Sequence, residues 1–74
     1  MADVEVRSEV TGNVWKIEKL VGDAVAAEDV VMILESMKME IPVETPIAGT
    51  LKALLVKEEE AVDEDQVVAI IETE

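Results

Sequence analysis

The chain has 74 residues, which is room for one small domain. It contains no cysteine and no histidine, so disulfides, thiolate or imidazole metal sites and histidine catalysis are excluded. Six Lys and Arg stand against 18 Asp and Glu, a net charge of −12 that disfavours nucleic acid and anionic membrane and favours a basic partner surface.

Half of the residues are apolar, yet the only aromatic is Trp15. So much aliphatic content argues against disorder. Val, Ile and Thr together supply 23 residues, a composition that favours strands. No apolar run approaches the ~20 residues of a membrane-spanning helix. The segment Met1-Ala2-Asp3-Val4-Glu5 lacks the basic and apolar parts of a signal peptide. The expectation is a soluble, cytoplasmic, all-β domain that is monomeric in isolation.

A first strand is expected over Val4 to Ser8, with Val4, Val6, Ser8 and Val10 on one side. A second, less clean in its alternation, runs from Val14 to Leu20. Trp15, within it, is assigned to the core or to a shielded face. Gly22-Asp23 is a turn signal. The continuous apolar run Val30-Val31-Met32-Ile33-Leu34 suits a well-buried strand. Further strands are expected over Ile41 to Thr45, Leu51 to Val56 and Val67 to Ile71. Pro42 and Pro46 cannot donate to a ladder, so their strand belongs at an edge or carries bulges. Lys57–Val67 reads either as a weak helix or, through Ala61 and Val62, as a short strand. Asp63-Glu64-Asp65 reads as a solvated turn; with Glu58-Glu59-Glu60 it makes a negative edge able to steer a basic partner.

The second set of elements repeats the first. A shift of 37 residues lays residues 4–36 on residues 41–73 without a gap. Val6, Gly12, Ala24, Val25, Val30, Val31, Ile33 and Glu35 meet identical residues, and Glu58-Glu59-Glu60 stands where Val21-Gly22-Asp23 stood. Gly12 and Gly49 share a phase just before a strand, where a turn or bulge with positive φ would suit glycine. Each half is too short to close its own core. Two halves facing each other bury their apolar faces as a small sandwich or flattened barrel with approximate two-fold symmetry.

The joint between the halves is Met37-Lys38-Met39-Glu40. It holds none of the Gly, Asn, Asp or Pro that hairpin turns prefer. Functional sites often break local rules in this way. Lys38 stands at the tip between two flexible thioethers, a surface suited to recognition. The alternative is a strand running through 30–43, with Met37 and Met39 alternating inward and Lys38 merely solvated.

Glu35-Ser36-Met37-Lys38-Met39-Glu40-Ile41 resembles the attachment motif of the biotinyl domain family, Ala- or Ser-Met-Lys-Met. Val21-Gly22-Asp23-x-Val25 resembles a recurring family segment upstream of the lysine, and Gly49 falls where the family has a Gly after the hairpin. The resemblance spans essentially the whole chain, 1–74. It implies a single domain with half-repeats 4–36 and 41–73 and an attachment hairpin at 37–40. It also implies a flattened barrel of two four-stranded antiparallel sheets. Lys38 would carry biotin as a side-chain amide, attached by a biotin protein ligase. A biotin carboxylase would load the cofactor, and a carboxyltransferase would pass the carboxyl group to an acyl-CoA or a keto acid.

On this reading Met37 and Met39 would belong to the ligase recognition surface, and Glu35 and Glu40, which flank the lysine, would either help a ligase with a basic site to dock or be solvated acids at strand ends. The gapless repeat leaves no room for the protruding thumb of some bacterial carriers, and the domain is expected to do without the Ala/Pro-rich arm that precedes many of them. The family's Gly-Asp pairs are degraded at Glu28-Asp29, Glu59-Glu60 and Asp65-Gln66, which is expected to alter turn geometry but not the attachment site. A lysine nucleophile is buried or has cationic neighbours; Lys38 has Glu35 and Glu40, so the chain is expected to be a carrier and not an enzyme. The rival within the fold is a lipoyl carrier of a 2-oxo acid dehydrogenase or the glycine cleavage system, or a protein that accepts both cofactors. Lipoyl domains usually place Asp-Lys-Ala or a similar triplet where this chain has Met37-Lys38-Met39. A rival of another class is an acidic interaction module without a cofactor.

Overall fold

The structure is a computed structural model that describes residues 2–73. It contains eight strands: β1 Ala2–Arg7, β2 Gly12–Ile17, β3 Ala24–Val25, β4 Val30–Ser36, β5 Met39–Glu44, β6 Gly49–Leu54, β7 Ala61–Val62 and β8 Val67–Thr73. They form two four-stranded antiparallel sheets, ordered β1-β8-β6-β3 and β5-β4-β2-β7. The flattened all-β barrel expected from the sequence is therefore the observed fold. Residues 57–67 form the short strand β7 between two turns and not a helix.

Each sheet draws strands from both halves, so neither half has a core of its own. The shared core holds Val6, Val14, Leu34 and Met32 from the first half against Leu51, Val62, Val68 and Ile71 from the second. Bounds, burial and irregularities repeat with the 37-residue shift. β1 and β5 share one burial pattern, and β4 and β8 match in every residue but the last but one. The ladders slip at Val14/Lys16 and at Leu51/Ala53, which are equivalent positions. They slip again at Val30/Met32 and opposite Val6/Arg7, between Ala69 and Val67. A bulge lets neighbouring residues face the same side, and this is how Val31 and Met32 are both buried in β4.

β5 is an edge strand, as Pro42 requires, and Pro46 lies beyond its end. Ser8 and Thr45, the two buried polar side chains of the core, close equivalent loops. Ser8 Oγ donates to the Val10 carbonyl, and Thr45 Oγ1 donates to that of Ile47 at 2.7 Å. Each hydroxyl also accepts the N–H of the same residue at 3.3 Å, so neither is left unpaired in the interior.

Four tight turns have one design. They span residues 20–23, 26–29, 57–60 and 63–66, and each is closed by an i+3 N–H donating to the carbonyl of residue i. The third residue has positive φ: Gly22 at 99°, Glu28 at 72°, Glu59 at 73° and Asp65 at 69°. That is the backbone of a type II turn, whose third position favours glycine. The expectation that losing glycine would alter these turns is overturned: the acids adopt the left-handed conformation instead. The side chain of the fourth residue holds them there. Asp23, Asp29, Glu60 and Gln66 accept the N–H of Leu20, Ala26, Lys57 and Asp63, at 2.8–3.0 Å.

Gly12 and Gly49 have a different reason from the one the sequence implied. Neither has positive φ; only Gly22 among the glycines does. Each begins a strand and lets a neighbouring strand come close. A Cβ on Gly12 would lie 2.5 Å from the Glu35 carbonyl oxygen, and one on Gly49 would collide with that of Glu72.

The candidate attachment hairpin

β4 and β5 pair closely up to their joint, with Glu35 opposite Glu40 and Ser36 opposite Met39. Only Met37 and Lys38 lie outside the ladder, so the joint is a two-residue turn and not the four-residue connector read from the sequence. Met39 and Glu40 belong to β5. The turn also excludes an uninterrupted strand through residues 30–43. Met37 has φ 52° and Lys38 φ 64°. Positive φ at both central residues marks a type I′ turn, the kind that matches strand twist and is normally built from Asn-Gly. Holding two side-chain-bearing residues in this region costs on the order of 1 kcal/mol each. The surrounding ladder sustains that strain.

Lys38 is exposed at the tip. Met37 and Met39 stand beside it, 92% and 62% exposed, far more open than a core methionine such as Met32. Arg7, Lys16, Lys19 and Lys52 each lie within 4.0 Å of a carboxylate. Among the described residues, Lys38 and Lys57 are the cations without such a partner. Lys57 sits in a turn of the shared type, whereas Lys38 projects from a rigid hairpin end.

The base of the hairpin is braced on one side. Ser36 Oγ donates to the Thr11 carbonyl at 2.8 Å, and Thr11 Oγ1 accepts the Glu64 N–H at 3.1 Å. Gly12, next in chain, is the residue whose missing Cβ lets β2 approach the Glu35 carbonyl. β2 and the turn at 63–66 therefore both brace the lysine-bearing strand. The other half does not repeat the brace: Ala48, the equivalent of Thr11, has no hydroxyl to accept an N–H, and Thr73, the equivalent of Ser36, donates its Oγ1 to the Ala2 carbonyl at 3.2 Å. Sequence reasoning missed it because it joins three segments distant in the chain.

Glu35 and Glu40 are exposed and directly opposed on the outer face of their sheet. Trp15 lies outside the core at 49% exposure, which overturns its assignment to the core or a shielded face. It occupies the bulge of β2, and the bulge turns it outward together with Lys16. The repeat held the signal: Trp15 falls on Lys52, and a position that takes lysine in one half is a surface position in the other. Among the described residues, no group of three or more acids converges to hold a metal ion.

Comparison with known proteins agrees with this geometry. Residues 5–71 match the family described as "Biotin-requiring enzyme". The chain is 40% identical over 62 residues to the Biotin/lipoyl attachment protein of Bacillus subtilis, covering 84% of this chain and 85% of that protein. It is 34% identical over 67 residues to the Biotinylated protein TB7.3 homolog of Mycobacterium leprae, covering 90% and 94%. The crystal structure of the Kluyveromyces lactis urea carboxylase contains a similar fold, with a TM-score of 0.92 and 36% identity. That match covers 97% of this chain but 6% of the carboxylase. A match over nearly the whole chain, on a fold whose repeat meets at an exposed Met-Lys turn, settles the family: the chain belongs to the biotin/lipoyl attachment domains.

Proposed function

We propose that this chain is a biotin carboxyl carrier and that Lys38 is the residue biotinylated by a biotin protein ligase. The observation that carries the reading is the Met37-Lys38 turn: an exposed amine, without an ion pair among the described residues, on a left-handed turn locked between paired strands. A carrier needs a rigid base and a long arm, and little chemistry of its own. The ladder supplies the base and the lysine stem the arm. An amide between Nζ and the biotin carboxyl group removes one positive charge, so the net charge goes from −12 to −12 − 1 = −13. Met37 and Met39 offer adaptable apolar contacts on both sides of the amine, and Glu35 and Glu40 face the partner that approaches it.

When bound, biotin supplies the ring that accepts and releases a carboxyl group. The chain supplies position: tethering raises the effective concentration of that ring at each docked active site. The likeness to part of a urea carboxylase supports partners of the biotin carboxylase and carboxyltransferase types. The acceptor in this reading is an acyl-CoA or a keto acid, and the chain itself is not catalytic. The name of the Bacillus subtilis relative pairs biotin with lipoate, and that keeps a lipoyl carrier as the second reading.

Both readings are tested by expressing the chain with a biotin ligase and, separately, with a lipoyl ligase. Lys38→Ala and Lys57→Ala serve as controls, and intact-mass spectrometry reads the products. The expected result is one biotinyl group on the chain, retained in Lys57→Ala and absent from Lys38→Ala. A lipoyl adduct alone would move the chain to the second reading. No adduct on a folded chain would overturn both.

A further inference from the structure

We propose that Trp15, Glu35 and Glu40 form a seat for a basic side chain of the biotin protein ligase, and that Trp15 is the residue that keeps the seat open. The inference deepens the carrier reading and rests on it.

Glu35 of β4 and Glu40 of β5 face each other directly across the ladder on the outer face of the sheet. Like charges so placed repel. Among the described residues neither carboxylate has a cation within ion-pair distance. Lys16, the lysine next to Trp15, is instead 4.0 Å from Glu18. The molecule contains the same construction a second time. Shifted by 37 residues, Glu35 becomes Glu72, Trp15 becomes Lys52, and the partner of Glu40 in the repeat is Asp3. Glu72 and Asp3 are likewise directly opposed. There the repulsion is relieved from within: Lys52 Nζ donates to Asp3 Oδ2 at 2.8 Å and lies 3.9 Å from Glu72 Oε2. The hydrogen bond to Asp3 and its charge hold the Lys52 ammonium above the ordinary lysine range.

The fold thus displays what this pair of opposed carboxylates accepts: one cation reaching over from the bulge of the neighbouring strand. In the lysine-bearing half, the bulge carries Trp15, which has no charge to give. Its half-exposed indole adds an aromatic face, on which a guanidinium or ammonium rests favourably. A cation from outside then gains two carboxylates and a ring, on a chain whose net charge of −12 draws basic surfaces.

Position identifies the occupant as the ligase. Glu40 is two residues from Lys38 and Glu35 three, on the two strands that meet at the turn. A ligase must bring its own reacting centre to Nζ at the tip, so it gains from gripping the strands directly beneath. An enzyme that acts on the far end of a tethered cofactor gains less from that grip.

The test is steady-state kinetics of biotin transfer to the full chain by a bacterial biotin protein ligase, with biotin and ATP, at low and high salt. The variants are Trp15→Lys, Trp15→Phe and the double variant Glu35→Gln/Glu40→Gln. Trp15→Lys should fold with an unfolding midpoint at or above that of the wild type, because Lys52 already shows the pairing it would make. Its KM for the chain should rise about tenfold at low salt with kcat unchanged, and the difference should shrink at high salt. The double variant should show the same rise and a weaker salt dependence. Trp15→Phe should recover most of the affinity that Trp15→Lys loses. A wild-type KM in Trp15→Lys or in the double variant, with the wild-type chain biotinylated, overturns the seat and leaves the carrier reading standing. A folded wild-type chain that takes no biotin overturns the carrier reading, and the seat with it.

Discussion

The two halves of the barrel share a backbone, but they end differently. The first closes on Met37-Lys38, a strained two-residue turn. At the equivalent place in the second half, β8 runs out beside β1, with Thr73 opposite Ala2. The ladder below the two ends is alike, even to the opposed acids. What separates the Met37-Lys38 hairpin from a plain strand end is therefore local: a left-handed turn with a lysine on it, a hydroxyl brace from Ser36 to Thr11, and a bulge residue without charge. Few of the paired residues are identical between the halves, yet bounds, bulges and turns coincide. The fold depends on which positions are buried and where two strands must touch, and it leaves the outer faces free to diverge.

The largest expected effect comes from the two glycines, which do the same job in each half. A Cβ at Gly12 meets the Glu35 carbonyl oxygen at 2.5 Å and Ser36 Cβ at 3.2 Å. A Cβ at Gly49 meets the Glu72 carbonyl and also the Ile71 Cγ2 at 2.8 Å, and Ile71 is wholly buried. Gly49→Ala should therefore cost more, about 3 kcal/mol against about 2 kcal/mol for Gly12→Ala, read from urea unfolding. Modification should rank them in reverse. Gly12 sits under the lysine hairpin, so Gly12→Ala should slow biotin transfer to the folded chain, whereas Gly49→Ala should not. Equal rates for the two folded variants would mean that the approach of β2 does not position the hairpin.

A smaller effect separates the equivalent turns at 20–23 and 57–60. One has Gly22 at its left-handed position, the other Glu59. Gly22→Ala should lower stability by about 1 kcal/mol, and Glu59→Gly should raise it by about the same. Glu59→Gln removes the charge but keeps the strained side chain, so it should recover little of the gain. If Glu59→Gln stabilises as much as Glu59→Gly, repulsion among Glu58, Glu59 and Glu60 sets the difference and not the backbone.

Most of this architecture was legible because the repeat is gapless and burial alternates with it. Composition gave strands, Pro42 gave the edge, and the shift gave the joint. Four features were not legible, for related reasons. Alternation reports which side a residue faces, not how near two strands lie, so Gly12 and Gly49 looked like turn glycines. A bulge resets the alternation, so Trp15 looked internal until it was set beside Lys52. Residue preference reports the easiest occupant of a turn, not what a hydrogen bond can enforce. Glu28, Glu59 and Asp65 stay left-handed because Asp29, Glu60 and Gln66 close their turns. The lysine itself was legible from its neighbours in the chain; the brace that orients it, from Ser36 through Thr11 to Glu64, was not.

The smallest effect returns to the opposed acids, where the halves differ by one residue. Lys52 is exposed, and its hydrogen bond to Asp3, helped by the charges of Asp3 and Glu72, raises its pKa above the ordinary lysine value of 10.5. A raised folded-state pKa gives stability that is complete below the unfolded value and is lost as pH rises through the folded one. Lys52→Met should therefore lower the unfolding midpoint at neutral pH, and its deficit should fade as pH climbs past the lysine range. Being a surface pair, it should also fade in high salt. Trp15→Met offers the matching measurement in the other half. Among the described residues no ammonium relieves Glu35 and Glu40, so any change it makes should be flat with pH over the same range. A deficit that fades at high pH in both variants would mean that the acid pair of the hairpin is neutralised from within after all.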